Sequence, residues 1–361
     1  MTNHYRIAIA GIGAVAEIHA LSIADLDDAT VVAGSCRTES KGREFADEFD
    51  CEWYADTEEM LDETEPDVLN VCTPSGAHLD AVLAAADRGV DVLCEKPLEI
   101  TTERIDRMTE AAEDAGIALG GIFHQRFNPV VQTLRDAADE GRFDDLSVAN
   151  AYVPWWRDDE YYAPDRWQGT EELDGGGALM NQSIHAVDAV QWLAGTTMDL
   201  DPGDNPVEEV FAYTARRAHD EDRLEVEDTA VAVLRFRDGT LGQLLGATSM
   251  YPGSLKRIQL AGRGGTAEIL EDELTTWAFR EERDEDEEIR AEFGEETETG
   301  GGAADPMAID YDNHRRNIAT FLDSLEDDEE FMLSAGEARK AVEIIEAIYE
   351  SAAAGEPVSL R

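Results

Sequence analysis

Apolar residues at the start of the chain come in short runs separated by stretches of helical spacing. Tyr5–Ala10, Thr30–Ser35, Asp67–Thr73, Val90–Cys94 and Ile117–Phe123 are β-rich runs of the kind that form buried strands, and Glu52–Tyr54 is a shorter one. Between them a helical pattern reaches from the Gly11–Ala16 segment to Ala24 and recurs at Lys41–Phe49, Thr57–Glu63, Ala77–Arg88 and Thr101–Ala115. Strands alternating with helices of this length require right-handed crossovers, which build a parallel, doubly wound sheet.

From Asn128 the pattern changes. Pro129–Glu140 reads as a helix. The β runs that follow are Leu146–Val153, Glu208–Arg217, Thr229–Arg237, Leu241–Ser249, Lys256–Ala261 and Glu268–Leu270, with a hairpin signal at Asp238-Gly239. Helices over Tyr311–Leu325 and Ser334–Ala353 close the chain. Consecutive strands predict a second α/β domain with an open, mainly antiparallel sheet. The expected division is 1–126 and 127–361, and a chain of 361 residues has length for two such domains. The acid-rich segment Glu271–Asp305, with Gly300–Gly302 near its end, reads as a solvated hairpin or loop.

Composition narrows the setting. Acidic residues number 81 against 29 basic ones, a net charge of −52. That disfavours nucleic acid and anionic membranes as partners. A hydrophobic content of 43% with clear periodicity argues against disorder. The excess charge is best accommodated in molar salt, where the Debye length falls to ~3 Å. With only four lysines among the basic residues, the expectation is a salt-adapted, cytoplasmic protein. The longest tempting apolar run, Ile7–Ala16, is about ten residues, too short to cross a bilayer, and it lacks the flanks of a signal peptide. Cys36, Cys51, Cys72 and Cys94 show no zinc spacing, so no structural metal is expected, and each reads as a small buried apolar residue.

Gly11-x-Gly13-x-x-Ala16 follows a strand and opens a helix. In that context the glycines form a tight turn that lets backbone N–H groups and a helix N-terminus meet a pyrophosphate. The second strand ends in Ser35-Cys36-Arg37-Thr38, with no acid before Glu39. An acid there would bind an adenosine ribose; Arg37 instead suits a 2′-phosphate, with Ser35 and Thr38 adding hydrogen bonds, so NADP is expected, NAD remaining possible. Ligands of doubly wound sheets bind beyond the carboxyl ends of the strands. Thr73-Pro74, Glu95-Lys96-Pro97 and His124-Gln125 fall at such ends, and His78 starts the helix after Pro74. These make Thr73, Pro74, His78, Glu95, Lys96 and Gln125 candidates for the cofactor cleft. Further on, Gly175-Gly176-Gly177 precedes Asn181, His185 and Asp188, which share one face if the segment is helical. Upstream stand Arg157, able to hold a hydroxyl or carboxylate, and the aromatic Tyr162 and Trp167, whose rings can stack on an apolar face. His19 reads as packing, and His4, His219 and His314 stand in no supporting pattern.

Taken in order, Gly11-x-Gly13-x-x-Ala16, Asp67-Val68 leading to Thr73-Pro74 and His78, Glu95-Lys96-Pro97, and Gly175-Gly176-Gly177 with His185-x-x-Asp188 resemble the Gfo/Idh/MocA oxidoreductase family over nearly the whole length. The resemblance implies an N-terminal Rossmann domain and a C-terminal α/β domain whose open sheet makes a homodimer or homotetramer contact. It also implies NAD(P)-dependent oxidation or reduction of a sugar or cyclitol carbon, with Lys96 as catalytic lysine and His185 as acid/base. Where many members carry Asp four residues before that histidine, this chain has Asn181, which can orient a substrate but cannot exchange a proton. An unperturbed histidine (pKa ~6.5) is a better base at neutral pH than an unperturbed lysine (~10.4), whose ammonium instead stabilises a developing alkoxide. An inositol or polyol dehydrogenase, and a non-catalytic dinucleotide sensor on the same scaffold, are the alternatives.

Overall fold

In the computed structural model, which describes residues 4–201, 203–220, 223–294, 311–327 and 329–360, the short apolar runs at the start of the chain become one sheet. Its strands are β1 (Tyr5–Ala10), β2 (Ala29–Ser35), β3 (Glu52–Tyr54), β4 (Val68–Val71), β5 (Asp91–Cys94) and β6 (Leu119–Gly121). They pair in the order β3-β2-β1-β4-β5-β6, every neighbour parallel. Ile7, Ile9, Val68, Leu69, Val71, Val92 and Leu93 are fully buried, as strands covered on both faces require. The intervening helices are α1 (Ala14–Ala24), α2 (Glu39–Phe49), α3 (Thr57–Thr64), α4 (His78–Ala86) and α5 (Thr102–Ala115). Strand order reverses between β1 and β4, the switch point at which a doubly wound sheet opens its binding crevice.

Two compact units divide the chain: Met1–His124 with Asp310–Arg339, and Gln125–Ile309 with Lys340–Arg361. The first therefore takes in a late segment that the sequence reading gave to the second domain. Hydrogen bonds at the edge of β6 account for this: Gly121 N donates to Leu333 O (2.8 Å), and Phe123 N to Asn317 Oδ1 (3.2 Å). The helix Asp312–Asp327 buries Ile318 and Phe321 completely. An amphipathic stripe does not say in sequence which sheet it will cover.

The second unit begins with α6 (Pro129–Asp139), whose N-cap Asn128 accepts from Val130 N (3.0 Å). Its sheet comprises β7 (Leu146–Pro154), β8 (Val207–Ala215), β9 (Thr229–Phe236), β10 (Leu241–Ala247), β11 (Arg257–Gly262), β12 (Gly265–Leu270), β13 (Glu273–Phe279) and β14 (Val358–Ser359). The order is β13-β12-β11-β7-β10-β9-β8-β14, and of its pairs only β7–β10 is parallel. Side chains alternate strictly on β9: Ala230, Ala232, Leu234 and Phe236 point into the core. The opposite face leaves Tyr213 (68%), Val231, Val233 and Leu241 exposed.

The acid-rich segment is more ordered than expected. β12 and β13 form a hairpin around Glu271 (φ 54°), and Glu285–Phe293 is a helix, not a loop. Its Asp286 is buried because Arg142 pairs with it at 2.6 Å and Trp277 Nε1 donates to it at 2.6 Å. Gly300–Gly302 lie outside the described residues. All four cysteines are thiols, but only Cys94 is fully buried; Cys36, Cys51 and Cys72 are half-exposed near strand ends. Among the described residues no helix is long and apolar enough to cross a membrane.

Candidate active site

The turn after β1 is built for close approach. Gly11 has φ +93°, and a Cβ on it would lie 2.6 Å from Thr73 N and 2.7 Å from Cys72 C, so only glycine lets the β1 and β4 ends meet. Gly13, the N-cap of α1, would place a Cβ within 4 Å of nothing, which leaves the helix N-terminus open on that side. Ala16 is fully buried and seats the helix on the sheet. Beside this turn the buried Thr73 Oγ1 has no hydrogen-bond partner among the described residues. A glycine cradle, open amides and an unused hydroxyl fit a dinucleotide pyrophosphate. Arg37 and Thr38 are exposed just past β2, and Thr38 caps α2 through its backbone alone. Glu39, the first acid after the strand, is engaged with Arg43 at 2.9 Å, while Ser35 Oγ is bonded to Thr57 Oγ1 at 2.8 Å.

Pro74 opens the short turn that leads into α4. His78, expected beside the cofactor, is instead buried with both ring nitrogens on main-chain carbonyls: Nδ1 to Pro97 O (3.0 Å) and Nε2 to Thr73 O (2.9 Å). It ties the loop after β4 to the loop after β5. Between those loops Lys96 is half-buried, followed by a cis peptide to Pro97. Glu95 is also a correction. It is buried, and its carboxylate is taken by His19 Nε2 (3.0 Å) and by Lys96 N (3.0 Å), so it organises the strand end and is not presented to a cofactor.

In the second unit, Gly175-Gly176-Gly177 is a packed loop. A Cβ on Gly176 would fall 2.2 Å from Tyr349 Oη, and one on Gly177 1.8 Å from Glu227 O. The Glu227 carboxylate accepts from Gly177 N and Leu179 N (both 2.9 Å) and from Tyr349 Oη (3.0 Å). Burial pushes that carboxyl above its ordinary range, and the two backbone donors oppose the shift. The loop delivers Ala178–Ser183, a wide π-type turn, into α7 (Ile184–Gly195). Asn181 thus lies in the wide turn and His185 in the first turn of α7, so they do not share one regular helix as the spacing suggested.

Asn181 Nδ2 donates to the buried Asp174 Oδ1 (2.6 Å), and its Oδ1 accepts from Gln182 Nε2 (2.8 Å). Gln182 in turn meets Tyr161 Oη (2.8 Å) and accepts from Arg157 Nε (3.0 Å). Arg157 is buried against the faces of Trp155 and Tyr161. Trp167 is half-buried, and Gln125 stands in the His124–Phe127 turn after β6 with a buried Oε1 lacking a partner among the described residues. Two expected substrate contacts face elsewhere. Asp188 is 1% exposed and makes a double hydrogen bond with Arg126 (2.8 and 2.6 Å) beneath Trp192. Tyr162 is buried with its hydroxyl on Thr248 Oγ1 (2.9 Å). Sequence reasoning missed Arg126 and Asp174, and also the buried His219–Asp228 pair (3.1 Å). The Asp228 carboxyl, although buried, is held below its usual range by His219 and by the Ala218 and Arg217 amides.

A parallel sheet with an open glycine turn at its switch point, followed by a mixed-sheet unit, has the build of a nicotinamide-dinucleotide oxidoreductase. Residues 5–121 match the family described as oxidoreductase family, NAD-binding Rossmann fold, and residues 137–360 match its C-terminal alpha/beta domain. The chain belongs to the Gfo/Idh/MocA oxidoreductase family. It is 29% identical over 266 residues to myo-inositol 2-dehydrogenase of Thermotoga maritima, covering 72% of this chain and 73% of that one. It is 26% identical over 359 residues, 98% of each chain, to D-xylose 1-dehydrogenase (NADP(+)) 2 of Haloferax volcanii. Among solved structures, the WlbA dehydrogenase of Bordetella pertussis, in complex with NADH and UDP-GlcNAcA, aligns with a TM-score of 0.87 at 29% identity, over 99% of this chain and 98% of that one.

Proposed function

We propose that the protein is an NAD(P)-dependent dehydrogenase that transfers a hydride between the nicotinamide and a hydroxyl-bearing carbon of a sugar or sugar derivative. The observation that carries the reading is Lys96, half-buried at the carboxyl end of β5, where doubly wound sheets bind their ligands. A bound nicotinamide supplies the hydride acceptor or donor. In this reading the Lys96 ammonium hydrogen-bonds the oxygen on which charge develops, and His185 takes or returns the hydroxyl proton. Asn181, its amide oriented by Asp174, positions the substrate, and Arg157 and Trp167 border it. Support for a sugar comes from the names of the relatives, a xylose dehydrogenase among them. The inositol dehydrogenase relative favours a cyclitol as second reading. Arg37 past the end of β2 favours NADP, as does the NADP(+) in the name of the Haloferax relative. The exposed apolar row Tyr213, Val231, Val233 and Leu241 supports a homodimer or homotetramer joined through the open sheet, and the composition supports a salt-rich cytoplasm.

The test is an absorbance screen at high salt with both cofactors against free, phosphorylated and nucleotide-linked sugars and cyclitols. With the best substrate, Lys96→Ala is expected to lose roughly 10²-fold or more in kcat, the scale of a removed acid–base or electrostatic group. Cofactor affinity should change little. Near-wild-type turnover in that variant would overturn the reading.

A further inference from the structure

Beside Lys96, the first unit buries a set of titratable groups that hydride transfer does not by itself require. Glu95 Oε1 receives His19 Nε2 at 3.0 Å and faces His314 Nε2 at 3.7 Å, while Oε2 accepts from Lys96 N at 3.0 Å. All three side chains are nine-tenths buried or more. They come from α1, the end of β5 and the helix Asp312–Asp327. Asn70, fully buried on β4, lies 3.0 Å from His19 Nδ1, and the His314 ring stacks on His124 with centroids 4.2 Å apart.

We infer that His19, Glu95 and His314 are a positioning set for Lys96: the two imidazoles grip one oxygen of the Glu95 carboxylate, leaving the other to hold the Lys96 backbone. The inference rests on reading Lys96 as the group that meets the substrate hydroxyl. The charges are consistent with it. Burial alone would lower His19, but Cys72 and Glu95 reverse this and raise it to about 10. Burial likewise opposes the Glu95 charge, yet the hydrogen bond from His19 and the nearby His314 imidazole hold its carboxyl well below the usual range. His314 is lowered, first by burial and also by His19 and Lys96, with Glu95 opposing. The pattern is an imidazolium–carboxylate pair at His19–Glu95 and a neutral His314, whose Nε2 stands 3.7 Å from the same oxygen without adding a second cation beside the lysine. Asn70 Nδ2 faces His19 Nδ1 at 3.0 Å and Asn70 Oδ1 has no partner among the described residues; because an imidazolium donates from both nitrogens, the charged ring requires the amide turned so that Oδ1 accepts from Nδ1. The titratable groups around the set are Cys72 after β4, Cys94 and Lys96 at β5, and His124 after β6. The three side-chain atoms also lie within 4.8 Å of one another. Direct contact of His19 with Glu95 at hydrogen-bond distance favours the ion pair.

The experiment uses the full-length protein with Glu95→Gln, His314→Gln and His314→Ala, and Lys96→Ala as reference. In Glu95→Gln, ring-proton NMR should show the His19 titration moving to lower pH, because the Glu95 hydrogen bond and charge that help to raise it are removed while Cys72 stays. The alkaline limb of the kcat profile should move to lower pH, because a buried anion that favours nearby cations is gone. In His314→Ala, kcat should fall roughly 10-fold, and in His314→Gln it should recover, because a polar amide N–H again stands toward Glu95 Oε1 where the imidazole stood at 3.7 Å. Nicotinamide fluorescence should give cofactor Kd values close to wild type throughout. An unchanged pH profile in Glu95→Gln together with unchanged kcat in His314→Ala would overturn the inference. So would one equivalent of metal on the wild type that is lost in Glu95→Gln, since the imidazoles would then be ligands. If Lys96→Ala keeps its turnover, the reading of Lys96 has failed. If Lys96→Ala is inactive while the His314 and Glu95 variants behave as wild type, only the positioning set has failed.

Discussion

At the scale of single residues, burial decides what a polar group is for. Asp188 and Arg37 make the contrast. Asp188 sits on a polar stripe that sequence alone reads as a cleft lining, yet it faces the fully buried Arg126. Truncating one member of a buried pair strands the other charge, so Arg126→Met should cost about 3–5 kcal/mol of stability, measured by denaturant unfolding. Arg37 is exposed past the end of β2, and the first acid after the strand, Glu39, is paired with Arg43. Arg37→Asp should reverse the ratio of kcat/KM for NADP over NAD, and a wild type that uses NAD at least as well would remove the argument for a 2′-phosphate. The places of the first-turn glycines and of Lys96 in the fold were legible because their local context, strand end and helix start, is written in adjacent residues. Glu95 was misread because its partners His19 and His314 are distant in sequence and each, taken alone, looks like packing.

At the scale of elements, strand and helix order in the first unit followed from alternating runs, and the hairpin at Asp238-Gly239 joins β9 to β10 as its turn chemistry predicts. Two elements were not legible. The helix Glu285–Phe293 looks like a solvated acid run, and it is anchored through Asp286 by the sequence-distant Arg142 and by Trp277, with Arg290 donating to Trp277 O. The wide turn Ala178–Ser183 follows from its surroundings, chiefly the Glu227 carboxylate that captures the Gly177 and Leu179 amides. Gly177→Ala tests that capture. Its methyl would meet the Glu227 carbonyl oxygen at 1.8 Å, a backbone atom that cannot rotate aside. The expected loss is about 1–3 kcal/mol, the usual cost of overpacking. A lower kcat should accompany it, because the turn leads directly to His185, and a melting curve together with steady-state kinetics would read both.

For the whole molecule, charge sets the conditions of stability. With −52 to screen, the melting temperature should fall on dialysis from ~3 M to ~0.1 M KCl, over which range the Debye length grows to ~10 Å. A flat curve would refute salt adaptation. The discontinuous build of the first unit bears on something else, the order in which the chain is made. β6 finds its edge partners at Leu333 and Ser334, and Phe123 N its acceptor at Asn317. A ribosome delivers those residues only after the entire main segment of the second unit has been synthesised. Domains that are continuous in sequence can fold as they emerge; this dinucleotide-binding unit cannot. Until the late helix arrives, the β6 edge and the apolar surface that Ile318 and Phe321 will cover stay open to water. The second unit is discontinuous as well: Tyr349, which donates to Glu227, Ser351, which accepts from Ala212 N, and β14 arrive only with Lys340–Arg361, so each unit waits for a late segment to complete its contacts.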